Sequence, residues 1–567
     1  MKSLLFLGLL LCVVACQDQL PIPEYNIQKT VIASQAGIAT AHPAATQIGL
    51  DILQQGGNAV DAAIATTFAL AVCYPVAGNI GGGGFMVLRM ADGTTDALDY
   101  RETAPAAADR DMYLDENGDV IRDLSTAGHL AAGVPGAVDG MVKAYERYSK
   151  LKDWSSLIQP SIDLAAKGLL LTEREAAGLN RTKDRFVKYN TRTPRFVKVD
   201  GEWQTGEVLQ QPELAAVLTA IRDQGHDGFY NGWVADSIVA EMERGGGIIS
   251  LQDLAGYEAK WREPLIGEYN GYDIISMPPA SSGGIALLQL LSSVEDRNIG
   301  DYTWHSPESI HLMVEAERRV YADRATHVGD ADYWDVPVKG LIDEEYNRSR
   351  MSSFDPSVAT DSETIYAGEP ANRESEQTTH FSIVDAEGNA VSITTTINTG
   401  YGSKVVVGGA GFFLNNEMDD FSAKPGVPNF FGLLGNEANA IEPGKRMLSS
   451  MTPTIVARDG DLSMVVGTPG GSTIITSVFQ TILNVLEWDM TASEAVQSCR
   501  FHHQWKPDAI IYERGCIDSI TIQALQEMGH EFMERGNIGR VEAIVKLADG
   551  RLEVAADQRG DDTAMGY

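Results

Sequence analysis

The chain has 567 residues, of which 44% are hydrophobic and 56 are glycine, and it carries a formal charge of −34 at pH 7 (44 Lys and Arg against 78 Asp and Glu). That length exceeds what one core organises, since single cores stop growing at roughly 250–300 residues, and the composition is globular rather than disordered or collagen-like. Charge of this sign argues against a nucleic-acid binder and repels anionic lipid, so any membrane tie has to be covalent.

Residues 1–15 read as an export signal: Lys2, an apolar run from Leu4 to Val14, and the small-residue exit Val13-Val14-Ala15 before Cys16. The run is too short for a bilayer, which takes about 20 apolar residues. Val-Val-Ala-Cys resembles a bacterial lipobox, which would lipidate Cys16 and make it the mature start. An ordinary secretory signal with an incidental cysteine is the competing reading. Cys73, Cys499 and Cys516 lack metal-like spacing. Whether Cys499 and Cys516 pair after export is left open by the spacing.

Ala44 to Gln55 has the apolar spacing of an amphipathic helix ending at Gly56-Gly57, and Asn58 to Ala71 reads as a second helix, apolar all round and therefore buried. The glycines from Gly78 to Gly84 precede a strand, Phe85 to Met90. They make a tight turn rather than a nucleotide fingerprint, whose glycines open a helix. A strand from Asp96 to Tyr100 delivers Arg101, followed by Glu102-Thr103-Ala104-Pro105. Residues 125–300 read as mostly helical and carry no catalytic constellation. Met277 to Gly284 is turn-rich and leads into a Leu-rich helix, Ile285 to Val294. Ser306-Pro307 starts another as N-cap and N1 proline, with Ile310, Met313, Val314, Val320 and Tyr321 as its apolar face. Residues 352–377 lose all periodicity and read as a flexible linker.

The linker ends at Gln377-Thr378-Thr379-His380. A β-branched run over 380–384, turn chemistry from Asp385 to Asn389 and a second strand from Ala390 to Ile397 then make a hairpin. A hydroxyl residue between a polar linker and the edge of a strong sheet is placed for self-cleavage. The Thr378 hydroxyl attacks the preceding carbonyl, the acyl group shifts from nitrogen to oxygen, and hydrolysis frees a new N-terminus. A free α-amine has a pKa of roughly 7.7–8, so it serves as a base beside its own hydroxyl. Thr396 and Asn398 close the same two-stranded unit. Further on come Asn415 to Ser422 with Glu417, Asp419 and Asp420, the pair Ser449-Ser450, and Gly467-Thr468-Pro469-Gly470-Gly471-Ser472.

In order and wording these motifs resemble the γ-glutamyltransferase family of N-terminal-nucleophile hydrolases, from about residue 30 to Tyr567. The resemblance implies an α+β fold, a four-layer αββα sandwich built jointly by two chains cut from one precursor: a large chain 16–377, including the linker 352–377, and a small catalytic chain 378–567. It implies cleavage between Gln377 and Thr378, with Thr378 as nucleophile and Thr396 orienting it. Gly470 and Gly471 match the oxyanion hole. Arg101, with Ser449 and Ser450, matches the grip on a substrate α-carboxylate, and Asn398, Glu417 and Asp420 match the acceptors of its α-ammonium, on the opposite side of the pocket. Phe430 and Phe431 fall in a lid loop, Pro425 to Gly432. Members often have a tyrosine at position 431 that bonds the asparagine matching Asn398. Phe431 has no hydroxyl, so the lid is expected to close by apolar contact only. His380, His502 and His503 read as structural.

The implied reaction transfers the γ-glutamyl group of glutathione, glutamine or a related compound to water, or to an amino acid or dipeptide, with no metal or organic cofactor. The implied location is exported and periplasmic, with a lipid anchor at Cys16. Two other readings stay in view: a related acylase for glutaryl or β-lactam amides, whose acyl group lacks the α-amine, and an uncleaved lipoprotein scaffold. A metal-dependent peptidase is disfavoured by the lack of a ligand cluster.

Overall fold

The computed structural model describes residues 25–121, 123–370 and 379–567. The export signal, Cys16, Gln377 and Thr378 lie outside the described residues.

Two seven-stranded sheets dominate. The first runs, edge to edge, Thr563–Gly566, Gly37–Thr40, Thr379–Val384, Ala390–Thr396, Gly83–Arg89, Thr95–Asp99 and Lys260–Arg262. The second runs Thr30–Ala33, Leu552–Ala556, Glu542–Lys546, Asp461–Gly467, Thr454–Arg458, Tyr272–Ser276 and Leu265–Tyr269. Within both sheets every pairing is antiparallel.

Alternation along the strands decides what each face buries. In the first sheet Met86, Leu88, Phe381, Ile383, Val391 and Ile393 face a helical layer that includes Pro43–Gln54 and Ala59–Cys73. Phe85, Val87 and Val384 face the second sheet, meeting Ile455, Val465, Ile544 and Val554. The far side of the second sheet, with Val456, Met464 and Val466, is covered by helices Gly283–Glu295, Pro307–His327 and Thr473–Leu486. Three apolar interfaces between four layers make the αββα sandwich. The helix Ala59–Cys73 is buried along its whole length, as its uniform apolarity predicts, and Asn58 and Asp61 close its start as a capping box.

Three local expectations change. The hairpin 379–396 lies not at an edge but in the middle of its sheet, paired outward to Gly37–Thr40 and to Gly83–Arg89. Its second strand is buried on both faces, which is why it reads as a nearly continuous Val, Ile and Thr run. The predominantly helical stretch 125–300 also contains a hairpin, Leu265–Tyr269 with Tyr272–Ser276, turned by Asn270-Gly271, both with positive φ. And the linker, over residues 354–370, is irregular but tied down. The Thr360 amide and hydroxyl donate to Glu315, the Ser362 amide to Asp508 and the Gly368 amide to Asp323. Two of these acceptors, Glu315 and Asp323, are buried carboxylates on helix Pro307–His327 and take up backbone donors that would otherwise go unpaired.

Inter-sheet spacing near the hairpin depends on one glycine. His380 is fully buried, with its ring bonded to Thr394 Oγ1 (3.1 Å) and Ser382 Oγ (2.9 Å), and burial depresses its pKa to about 3, so it is a neutral packing element. A Cβ on Gly467 of the facing strand would sit 2.4 Å from that ring. Gly467→Ala should therefore destabilise the protein by about 1–3 kcal/mol, the usual cost of overpacking, read as a lower thermal midpoint. Adding His380→Ala should recover part of the loss. A Gly467→Ala protein that melts with its parent would refute this account of the packing.

Candidate active site

The strand Thr95–Asp99 ends two residues before Arg101, and its side chain is driven into a fully buried position. A guanidinium cannot lose its proton in a protein, so burial obliges it to find counter-charge and acceptors. It finds them in Glu417 Oε1 and Asp420 Oδ2, each 2.6 Å away, and in the carbonyls of Met447 (3.2 Å) and Leu448 (3.1 Å). The expected separation of Arg101 from the two acids is therefore replaced by direct contact. Glu417 to Asp420 form a single 3₁₀ turn, where side chains three apart eclipse, so 417 and 420 reach the same guanidinium. Glu102, also buried, lies 3.7 Å from Arg101, and burial together with the Glu417 charge holds its carboxyl well above the usual range.

Thr396 joins this cluster to the hairpin. Its hydroxyl donates to Glu417 Oε1 (3.1 Å) and accepts from the Asn398 amide (2.6 Å). Asn398 takes a left-handed conformation, φ +67°, and its Nδ2 donates to the Asn416 carbonyl at 2.9 Å. Ser449 and Ser450 follow directly on the Leu448 carbonyl that touches Arg101. They are braced by a turn that sequence reading passed over as a helix start. The Ser449 carbonyl accepts from the Ser282 amide at 3.0 Å, and a Cβ on Gly283 would lie 2.2 Å from the Met451 carbonyl oxygen. Only glycine permits that approach.

Gly470 and Gly471 link strand Asp461–Gly467 to helix Thr473–Leu486. Their φ values are +152° and +68°, and a Cβ on Gly470 would meet Thr473 Oγ1 at 2.6 Å. The turn thus sits at the start of a 14-residue helix, where backbone N–H dipoles favour negative charge.

These glycines, Asn398 and the loop aromatics Phe430 and Phe431 line one cleft of about 500 Å³, while Arg101 and its acids are buried and linked to it through Thr396 and Asn398. The lid is held by polar contacts as well as apolar ones, which corrects the expectation drawn from Phe431. Asp419, pointing away from Arg101, accepts from the Phe430 amide (3.1 Å) and the Ser125 hydroxyl (2.6 Å), and burial raises its carboxyl above the usual range. Gln504 donates to the Gly432 carbonyl at 3.2 Å. The two lid rings pack edge to face at 5.1 Å. Sequence reading assigned no role to Asp419, Glu102 or the mouth residues Arg181, Arg185 and Lys404. The Asp419-Asp420 doublet was the one signal that pointed towards the first.

The remaining histidines are committed elsewhere. His502 bonds Thr476 and Gln504, and His503 bonds Asp508. His311, Glu315 and His530 converge in the interior. There His311 Nδ1 and His530 Nε2 share a hydrogen bond of 2.7 Å, and Glu315 is taken by Arg319 and Thr360, so the group reads as a structural network. Cys499 and Cys516 form a disulfide, while Cys73 is a buried free thiol.

Known proteins give this arrangement a family. The sequence model of the gamma-glutamyltranspeptidase family matches residues 45–567. The chain is 48% identical over 520 residues to the glutathione hydrolase proenzyme of Pseudomonas aeruginosa, covering 91% of each chain. It is 42% identical over 553 residues to that of Escherichia coli (strain K12), covering 96% of this chain and 95% of the other. A crystal structure of cephalosporin acylase from Bacillus halodurans superimposes with a TM-score of 0.84 at 26% identity, over 98% of this chain and 99% of that one. A family match across nearly the whole chain, with every motif of the cleft inside it, places the protein in the gamma-glutamyltranspeptidase family.

Proposed function

We propose that the protein is a self-cleaving γ-glutamyltransferase and glutathione hydrolase with Thr378 as its nucleophile. The observation that carries this is the buried cluster of Arg101 with Glu417 and Asp420, joined through Thr396 to Asn398, which lines one cleft with Gly470 and Gly471. Such a pocket holds one fixed cation and two acids with no contact to bulk water, the complement of a free glutamyl head with both charges. The substrate α-carboxylate exchanges onto Arg101, whose planar fork donates to it bidentately, assisted by Ser449 and Ser450. The α-ammonium takes up Asp420, Glu417 and Asn398.

Maturation cuts between Gln377 and Thr378, leaving a large chain 16–377 and a small chain 378–567 that remain together as a heterodimer. Thr379 pairs with Thr395 in the hairpin, and the family resemblance assigns the next residue, Thr396, to orient Thr378. The new α-amine accepts the hydroxyl proton while the oxygen bonds to the γ-carbonyl carbon. The oxyanion that forms is met by the backbone N–H groups of the glycine turn, each donor contributing on the order of 10²–10³ in kcat. The amide C–N bond then breaks, the amine leaves with a proton, and water or an amino acid or peptide takes the acyl group. Residues 1–15 direct export, and Cys16 is the lipidated start that keeps the enzyme at a bacterial membrane.

The likeness to a cephalosporin acylase supports a second reading, hydrolysis of glutaryl or β-lactam amides. An acyl chain without an ammonium would leave Asp420 and Glu417 without the cation they receive in the first reading, so the γ-glutamyl assignment is preferred. Three outcomes are expected. On a denaturing gel the purified protein should show a small chain whose N-terminal sequence begins Thr-Thr-His, absent from Thr378→Ala; a single uncut chain in both would sink the mechanism. Hydrolysis of γ-glutamyl-p-nitroanilide should exceed that of glutaryl-p-nitroanilide, and the reverse order would select the acylase. Asp420→Asn should raise KM for the γ-glutamyl substrate by roughly tenfold or more, the scale of one charge-assisted contact, with less effect on the glutaryl one.

A further inference from the structure

The cleft above the glycine turn has a second wall whose chemistry the glutamyl head does not use. Helix Glu173–Tyr189 turns Arg181, Thr182 and Arg185 towards it, and Lys404 faces it from the loop that follows the hairpin. Its described lining holds these three cations and no Asp or Glu, in a chain whose net charge is −34. Among the described residues neither Arg181 nor Arg185 makes an ion pair, unlike Arg101, whose charge is met by two buried acids. Both arginines are exposed at the rim, whereas Lys404 is only 3% exposed.

Lys404 makes the wall more than a solvated face. Its Nζ donates to the Thr399 hydroxyl (2.9 Å) and to the Gly402 carbonyl, both neutral acceptors. Burial, and then repulsion from Arg185, pull its pKa down to about 7. A buried ammonium held only by neutral oxygens is costly, and an arriving anion supplies the missing counter-charge.

We propose that Arg181, Arg185 and Lys404 form a leaving-group subsite that holds a carboxylate on the amine being released, and on the amine that takes its place in transfer. The subsite rests on the γ-glutamyl reading and adds to it the substrate class: γ-glutamyl amides of amino acids and short peptides with a free C-terminus, ahead of those of uncharged amines. The geometry fits. With the glutamyl head buried at Arg101 and its carbonyl at Gly470 and Gly471, the departing amine points into the open cleft. A dipeptide spans roughly 7 Å from its nitrogen, within a space of about 500 Å³. No bond is made or broken at these residues; they position the amine and discriminate by charge.

The test compares glutathione with its C-terminal amide, which differ only in the leaving-group carboxylate, on the full-length processed enzyme at low ionic strength. The expected kcat/KM ratio of acid to amide is about tenfold, the sum of two screened contacts and one partly buried one, and it should shrink as salt is added. In Arg181→Ala/Arg185→Ala the ratio should fall towards one, and in Arg181→Lys/Arg185→Lys most of it should return. Equal rates for acid and amide in the parent enzyme would overturn the subsite. So would an Ala double variant that loses rate on both substrates with the ratio intact, since that is what a purely structural role does. Failure of the parent enzyme on both substrates and on γ-glutamyl-p-nitroanilide would instead refute the γ-glutamyl reading and take the subsite with it.

Discussion

The structure of the site depends on one constraint, the permanent charge of Arg101 in a position without solvent. Removing a partner from a buried ion pair typically costs about 3–5 kcal/mol, so the fold itself requires Glu417, Asp420 and the carbonyls of Met447 and Leu448. The requirement pulls together the end of a first-sheet strand, a 3₁₀ turn and the loop leading to Ser449. Thr396 extends the network to the hairpin that begins beside Thr378. A ligand with one carboxylate and one ammonium can replace protein charges with its own, so the pocket need not collapse or flood when it is filled.

Around that centre the sandwich works as a positioning device. The hairpin occupies the middle of its sheet, where pairing on both sides limits movement of the strand that starts at Thr379. The facing strand ends at Gly467, whose missing side chain lets the His380 ring lie against it, and three residues later the chain turns through Gly470 and Gly471 into a helix. The same strand therefore sets the spacing of the sheets and the placing of the turn.

The two halves of the site use opposite electrostatics. In the interior, one cation meets two acids, shut away from water. Three further cations line a cleft open to solvent, under a lid that Asp419 and Gln504 hold by its backbone. On the proposed reading, buried charges of both signs suit a zwitterionic head and the cationic mouth suits an anionic tail. Asp419 and Asp420 are adjacent in sequence yet bond the Phe430 amide and Arg101 respectively, because neighbours on a 3₁₀ turn point in different directions.

The sequence alone determined the elements whose signals are local: the all-apolar helix at 59–73, the hairpin at 379–396, the proline-started helix at 307 and the glycine turn at 470. It also carried the residue types of the site, since Arg101, Thr396, Asn398, Glu417, Asp420 and the glycines stand in recognisable motifs. Asn270-Gly271 was equally legible as a hairpin turn and was overlooked inside a stretch read as helical. The rest was decided by packing between distant segments. Arg101 and Glu417 are 316 positions apart, and no period or turn preference specifies that they touch. The same holds for the central place of the hairpin, the pinning of residues 354–370, the tethers of the lid and the convergence of Lys404 with Arg181 and Arg185. Local chemistry specifies how a segment bends and which face it buries. Which buried charge finds which partner is settled only when the layers close and every group removed from water must be satisfied.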